Sequence, residues 1–120
     1  MFVYLNINPN NETKGDCVIR AIALALDLDY YDVVDMLIEN SNYFNCNMLV
    51  RDCYSKMLTI DYGLPQYDGN GLSVMQIVEE HKDNILLLRT EGHLTMAMYG
   101  NIYDIWDCSN EIVDVFWVVN

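Results

Sequence analysis

The chain has 120 residues, a length typical of one compact domain, so we expect a single domain over residues 1–120 and no multidomain assembly. Hydrophobic residues make up 52% and charged residues 20%, a balance that excludes a disordered tail. The net charge of −12 repels the phosphates of nucleic acids, which argues against direct nucleic-acid binding.

The first part of the chain predicts one short strand followed by three helices. The strand covers residues 2–5, and a loop rich in Asn runs from it to Gly15. Residues 16–26 are apolar on nearly every face, which is typical of a buried central helix. Asp29 caps a second, amphipathic helix, which we expect to break at residues 40–45. A third helix is predicted over residues 47–58.

The second part predicts one short helix and then strands. Ser73 caps a helix from Val74 to Glu80. Strand patterns follow at residues 85–89, 93–99, 102–106 and 112–119. Helices before strands indicate an α+β fold, with the central helix packed on a C-terminal antiparallel sheet. Gly100-Asn101 is a turn signal, so the strands on either side of it should form a hairpin.

Cys17 is the candidate nucleophile. It lies at the start of the predicted central helix, where unpaired backbone N–H groups and the helix dipole favour a thiolate. The alternative is that Cys17 is a small buried core residue.

His93 and Asp107 are the candidate partners of Cys17. His93 shares a strand face with Thr95 and Ala97, whose small side chains would let the central helix approach closely. The hairpin places Asp107 opposite His93 or one step diagonal from it, with Asp104 about 10 Å further along the strand. We therefore expect Asp107 to orient the imidazole. A purely structural histidine is the alternative.

Asn11 is the candidate oxyanion donor, together with the backbone N–H of Cys17. It lies six positions before the cysteine, in the loop that precedes the central helix. Asparagines in such a loop also serve simply as turn formers.

These residues resemble the papain-like cysteine peptidase superfamily. The likeness rests on a Cys at a helix start, a His that opens a strand and an Asp at the end of the next strand. The segments Gly15 to Ile22 and Gly100 to Asp107 are similar to small bacteriophage proteins with a papain-like core, related to the bacteriocin-processing type. The resemblance spans residues 8–118. It implies a papain-like fold, a Cys17, His93 and Asp107 triad, and an oxyanion role for Asn11, which stands where that fold carries Gln.

Other features concern compartment and cofactors. No apolar run approaches the ~20 residues of a membrane span, and the basic flank of a signal peptide is lacking, so we expect a cytoplasmic protein without membrane contact. The four cysteines are then interpreted as thiols. No zinc-binding spacing is present, and we predict neither a metal nor a cofactor.

Two functional hypotheses follow. The first is a thiol hydrolase or acyl-transfer enzyme, deamidation included, whose substrate is a protein or peptide and, for a phage protein, a host protein. The second is an acidic viral inhibitor that binds a host factor on the same scaffold with weak or no catalysis, a hypothesis motivated by the net charge. That charge also fits steering of basic partners, imitation of a polyanion, or solubility alone. The oligomeric state is left open.

Overall fold

The computed structural model describes residues 1–13 and 15–120. In chain order, the elements are strand β1 (Phe2–Tyr4), helices α1 (Cys17–Leu26), α2 (Tyr30–Phe44) and α3 (Arg51–Lys56), a π-helical turn (Met57–Asp61), strand β2 (Gln66–Asp68), helix α4 (Val74–Glu80), and strands β3 (Ile85–Thr90), β4 (His93–Met98), β5 (Asn101–Asp104) and β6 (Val115–Val118). The predicted α+β class is confirmed.

The six strands form one mixed sheet in the order β1-β5-β4-β3-β6-β2. Strands β3, β4, β5 and β6 pair antiparallel, as expected for the C-terminal part of the chain. Strand β1 adds a parallel edge beside β5, and β2 closes the other edge beside β6. The sheet is larger than predicted, because β2 forms at residues 66–68, where the sequence analysis predicts no strand.

Helix α1 is the buried central helix that the sequence predicts, and it packs on β4 and β3. The predicted contact face is wrong. Leu94 and Met96 share a core with α1, whereas Ala97 belongs to a second core with α4 on the opposite side of the sheet. At the contact between α1 and β4, the small side chains come from the helix, which carries the buried residues Ala21, Ala23 and Ala25. The strand contributes the larger side chains, those of Leu94 and Met96.

The other helices differ from the prediction where side chains make specific contacts. Helix α2 continues through the predicted break at 40–45, because Asn40 is buried and donates a hydrogen bond to the Cys53 carbonyl at 2.8 Å. Helix α3 starts later than residue 47, because Asn47 accepts from the Leu49 N–H at 3.1 Å and forms a turn. Helix α4 begins and ends as predicted. Within the described residues, no helix has the length and apolarity to cross a bilayer.

A disulfide joins Cys46 to Cys53, so the expectation of four thiols is wrong for this pair. The loop between α2 and α3 brings their Cα atoms to 5.7 Å, within the range for a disulfide. Cys17 and Cys108 are free. Disulfides persist mainly in oxidising compartments, so this bond does not favour the cytoplasmic localisation, which stays a prediction.

Candidate active site

Cys17 is the first residue of α1 and is partly exposed. Asp16 occupies the N-cap position, but its side chain makes no capping hydrogen bond. Its carboxylate instead accepts from Arg20 Nε at 2.8 Å. The N–H groups of the first helical turn, including that of Cys17, are therefore not capped by this carboxylate, and the positive end of the helix dipole lies at the thiol.

His93 opens β4, and Asp104 at the end of β5 holds its ring. His93 Nε2 lies 2.7 Å from Asp104 Oδ2, and the two side chains are only 9% and 3% exposed. The ring of Trp106 covers the imidazole, with the ring centroids 5.0 Å apart. The carboxylate and the indole together fix the orientation of the imidazole.

The predicted contact between Asp107 and His93 is not the one that forms. The carboxylate of Asp107 is exposed and accepts hydrogen bonds from the N–H and hydroxyl of Ser109, which lower its pKa. Asp104, which the hairpin argument placed too far away, makes the contact with His93.

The difference comes from the position of one turn. Tyr99 and Gly100 both have positive φ values, 52° and 88°, and form a two-residue turn closed by the pair Met98 and Asn101. The predicted hairpin is confirmed, but its turn lies one residue earlier than Gly100-Asn101. In this register Asp104 follows the Met96 and Tyr103 pair, which leaves it diagonal to His93 and within side-chain reach.

The pKa shifts at the site favour a charged pair. Burial alone would raise the pKa of Cys17, but hydrogen bonds with His93 and with the Leu94 backbone, together with the charges of His93 and Arg20, lower it below the ordinary value. Burial alone would lower the pKa of His93, but hydrogen bonds with Asp104, Cys108 and Cys17 raise it to about 11. The two pKa shifts thus have the same sense: each group favours the charged form of the other.

Arg20 connects the helix to the carboxylate. Its Nη1 donates to Asp104 Oδ1 at 3.1 Å, while its Nε binds Asp16. Asp16 in turn accepts from Asn8 at 2.8 Å and from the Tyr30 hydroxyl at 3.0 Å. The charge of Arg20 is therefore balanced by two buried carboxylates, and it has the buried partners that a cation on an apolar helix requires.

Asn11 lies in the loop before α1 and is exposed, with a left-handed backbone φ of 56°. Its N–H donates to the Asn8 carbonyl at 2.9 Å, and its side-chain oxygen accepts from Asn6 at 3.4 Å. These are the contacts of a turn residue, the alternative noted from the sequence. The other predicted oxyanion donor, the Cys17 N–H, belongs to the first residue of α1, where backbone N–H groups have no partner within the helix.

Cys17 and His93 line the same cleft, which has a volume of about 230 Å³. Its remaining walls come from α1, from α3 and the residues just before it, and from the end of β3 and the turn after it, namely Val18, Leu49, Val50, Arg51, Tyr54, Thr90 and Gly92. The cleft provides a place where a carbonyl could meet the sulfur.

Cys108 lies behind the imidazole and is fully buried. Its sulfur is 3.8 Å from Asp104 Oδ2. His93, Asp104 and Cys108 offer ligand atoms within 4.8 Å of one another, the one group among the described residues that could hold a metal ion. The Arg20 guanidinium on the same carboxylate opposes a cation there.

Sequence reasoning missed several groups at the site. The hairpin argument rejects Asp104 as the partner of His93, and the sequence analysis gives Cys108 no role beyond that of a thiol. Arg20 carried a usable signal, because a cation in an apolar helix needs a buried carboxylate. Thr90 and Arg51 gave no signal, because only the folded chain brings them to the cleft.

Comparison with known proteins adds no relatives: no family model, no curated protein and no solved structure matches this chain.

Proposed function

We propose that this chain is a thiol hydrolase of the papain-like superfamily, in which Cys17 attacks an amide or thioester carbonyl. The observation that carries the proposal is the meeting of three groups. Cys17 stands at the open end of α1, His93 shares its cleft, and Asp104 holds the imidazole at 2.7 Å. Nucleophile, base and orienting carboxylate in this order are the groups that acyl transfer by a cysteine requires.

The reaction would proceed in two steps, acylation of Cys17 and hydrolysis of the resulting thioester. The Cys17 thiolate adds to the carbonyl carbon, and the oxyanion is held by the Cys17 N–H, with the Asn11 amide as the second proposed donor. The carbon–nitrogen bond breaks, and the departing amine takes the proton from His93. Water then gives a proton to His93 as its oxygen attacks the thioester. The acid is released and the thiolate is restored with His93 again protonated.

The architecture supports the superfamily proposal. The cysteine begins a helix that is buried against a largely antiparallel sheet, and the histidine and carboxylate lie on neighbouring strands of that sheet. Asp104 replaces Asp107 in the proposed triad. The likeness to small bacteriophage proteins, and with it a host protein as substrate, remains part of the proposal.

An acyl-enzyme trap tests the proposal. The protein is mixed with a p-nitrophenyl ester, nitrophenol release is followed, and the adduct is located by peptide mass mapping. We expect a burst equal to the enzyme concentration, an acyl group on Cys17 and slow turnover, all lost in Cys17→Ser. An adduct on Cys108 instead, or a burst that survives in Cys17→Ser, would show that Cys17 is not the nucleophile.

The net charge of −12 favours a second candidate, a protein that binds and blocks a basic host factor. The two candidates differ in the effect of Cys17→Ala. An inhibitor keeps both its partner in a pull-down and its biological effect, whereas an enzyme keeps the partner and loses the effect.

A further inference from the structure

The cleft beside Cys17 contains groups that the proposed reaction does not use. Besides Cys17 and His93, its lining residues include Thr90, Arg51 and several apolar residues. Thr90 and Arg51 each have bonding capacity that the fold leaves unused.

Thr90 is the first such group. It ends β3, pairs with His93 across the hairpin and is 2% exposed. Its Oγ1 is buried and has no hydrogen-bond partner within the described part of the chain. Asn40 Oδ1 and Thr95 Oγ1 also lack a partner among the described residues, but of the three residues only Thr90 lines the cleft. An unpaired buried hydroxyl disfavours folding, so a ligand that bonds to Thr90 would remove this cost.

Arg51 is the second group. Its side chain is 57% exposed, and in the described residues its one ion pair is a long contact of 3.5 Å with Asp114. That carboxylate already binds Arg89 Nη2 at 2.6 Å and Nε at 3.1 Å. The guanidinium of Arg51 therefore retains donors for an anion at the cleft, in a chain that otherwise repels anions.

Apolar side chains share the cleft with these polar groups. Val18, Leu49 and Val50 line it, and the last two are 38% and 48% exposed. Exposed aliphatic side chains in the same cleft as a hydroxyl and a cation suit a ligand whose polar groups are joined by methylene groups. A volume of about 230 Å³ limits that ligand to the size of a single residue.

We infer that the cleft selects an acyl group with a carboxylate on a short aliphatic arm, such as a glutamyl group. The methylenes pack against Leu49 and Val50, the carboxylate binds Arg51, and an amide group of the substrate bonds to Thr90 Oγ1. This inference rests on the proposed function, since it names the substrate class of the same nucleophile.

The charge selectivity is tested by calorimetry on Cys17→Ala, which binds without reacting. The probes are N-acetylglutamate N-methylamide and its neutral isostere, N-acetylglutamine N-methylamide. We expect the glutamate compound to bind at least tenfold more tightly. Arg51→Gln should abolish the difference, and Lys82→Gln, a matched change outside the cleft, should retain it. Equal affinities, or a preference that survives Arg51→Gln, would overturn the inference.

The role of Thr90 is tested in the same background with Thr90→Val and Thr90→Ser. A ligand-binding hydroxyl predicts that the valine variant binds the glutamate compound about tenfold more weakly while its Tm is unchanged or higher, because an unpaired hydroxyl is removed. The serine variant keeps the hydroxyl and should keep the affinity. A lower Tm with unchanged affinity would assign Thr90 a structural role and contradict the inference.

Turnover by the wild-type protein separates this inference from the proposed function. Glutamyl and glutaminyl aminocoumarin amides are compared. Selective binding by Cys17→Ala without any wild-type hydrolysis supports the cleft and refutes the hydrolase. Hydrolysis of both amides at equal rates supports the hydrolase and refutes the selectivity.

Discussion

Arg20 and Asp104 lie 84 positions apart in the chain, and their side chains meet at 3.1 Å with only 6% and 3% exposed. Arg20 is three residues after Cys17 on α1, and Asp104 contacts His93. This ion pair therefore ties the helix that carries the thiol to the strand end that holds the imidazole. The distance between the Cys17 thiol and the His93 imidazole depends on this ion pair.

Replacing Arg20 should destabilise the protein strongly. Arg20→Gln leaves two buried carboxylates, Asp16 and Asp104, without their cation, and such a change costs about 3–5 kcal/mol of unfolding free energy. The measurement is urea unfolding at pH 7. Arg51→Gln breaks an exposed pair and is the matched control, with an expected cost of about 0–1 kcal/mol. Similar losses in both variants would contradict the role given to Arg20.

The two aspartates should differ in their effect on activity. Asp104→Asn removes the charge that holds and stabilises the imidazolium of His93, so we expect kcat to fall by about 10²–10⁴-fold. Asp107→Asn changes an exposed carboxylate bonded to Ser109 and should leave kcat within about twofold. Steady-state kinetics on the best available ester or amide measures both. A larger loss from Asp107→Asn would restore the assignment made from the sequence.

The pH dependence of Cys17 alkylation tests the charged pair. The pKa of Cys17 is lowered from 9.0 and that of His93 is raised to about 11. As pH rises, the folded protein should lose the thiol proton first, so the iodoacetamide rate should rise with a midpoint below pH 9. His93 should keep its proton until about pH 11.

Two controls accompany the alkylation profile. In urea the midpoint should return to about 9, the ordinary cysteine value. His93→Gln removes the neighbouring cation and should move the midpoint of the folded protein upward. If the folded and unfolded proteins gave the same midpoint, the fold would not lower the pKa of Cys17, which would contradict the charged pair.

The sequence was sufficient to predict the parts of the site that depend on local pattern. The apolar run after Asp16 specifies a buried helix, so Cys17 was placed at its start. Alternation after Gly92 specifies a strand, which placed His93. The carboxylate was misassigned because a turn at Tyr99 and Gly100, rather than one residue later, changes every cross-strand pair.

Other features depend on contacts between distant parts of the chain. Helix α2 runs past its predicted end because Asn40 bonds to the backbone of Cys53, a tertiary contact that overrides local propensity. The cleft wall at Arg51 and the unpaired hydroxyl of Thr90 arise only when α3 meets the end of β3. Their residue types carry no sign of this role in the linear sequence.

The last prediction concerns the disulfide, because the loop that it closes contributes residues to the cleft. Cys46 and Cys53 bracket Leu49, Val50 and Arg51, which line the cleft together with His93. Reduction should lower the unfolding free energy by about 2–3 kcal/mol through the entropy of the opened loop. It should also loosen the wall, so that KM for a glutamyl substrate rises several-fold while the alkylation rate of Cys17 stays unchanged.

The Cys46→Ser, Cys53→Ser double variant gives the same test without reductant, and kinetics in matched buffers measures KM and kcat separately. Cys17 and its partners lie on α1, β4 and β5, outside the loop that the disulfide closes. A fall in the Cys17 alkylation rate that matches the rise in KM would show that the disulfide supports the reacting groups themselves, and the cleft wall would then have no separate role.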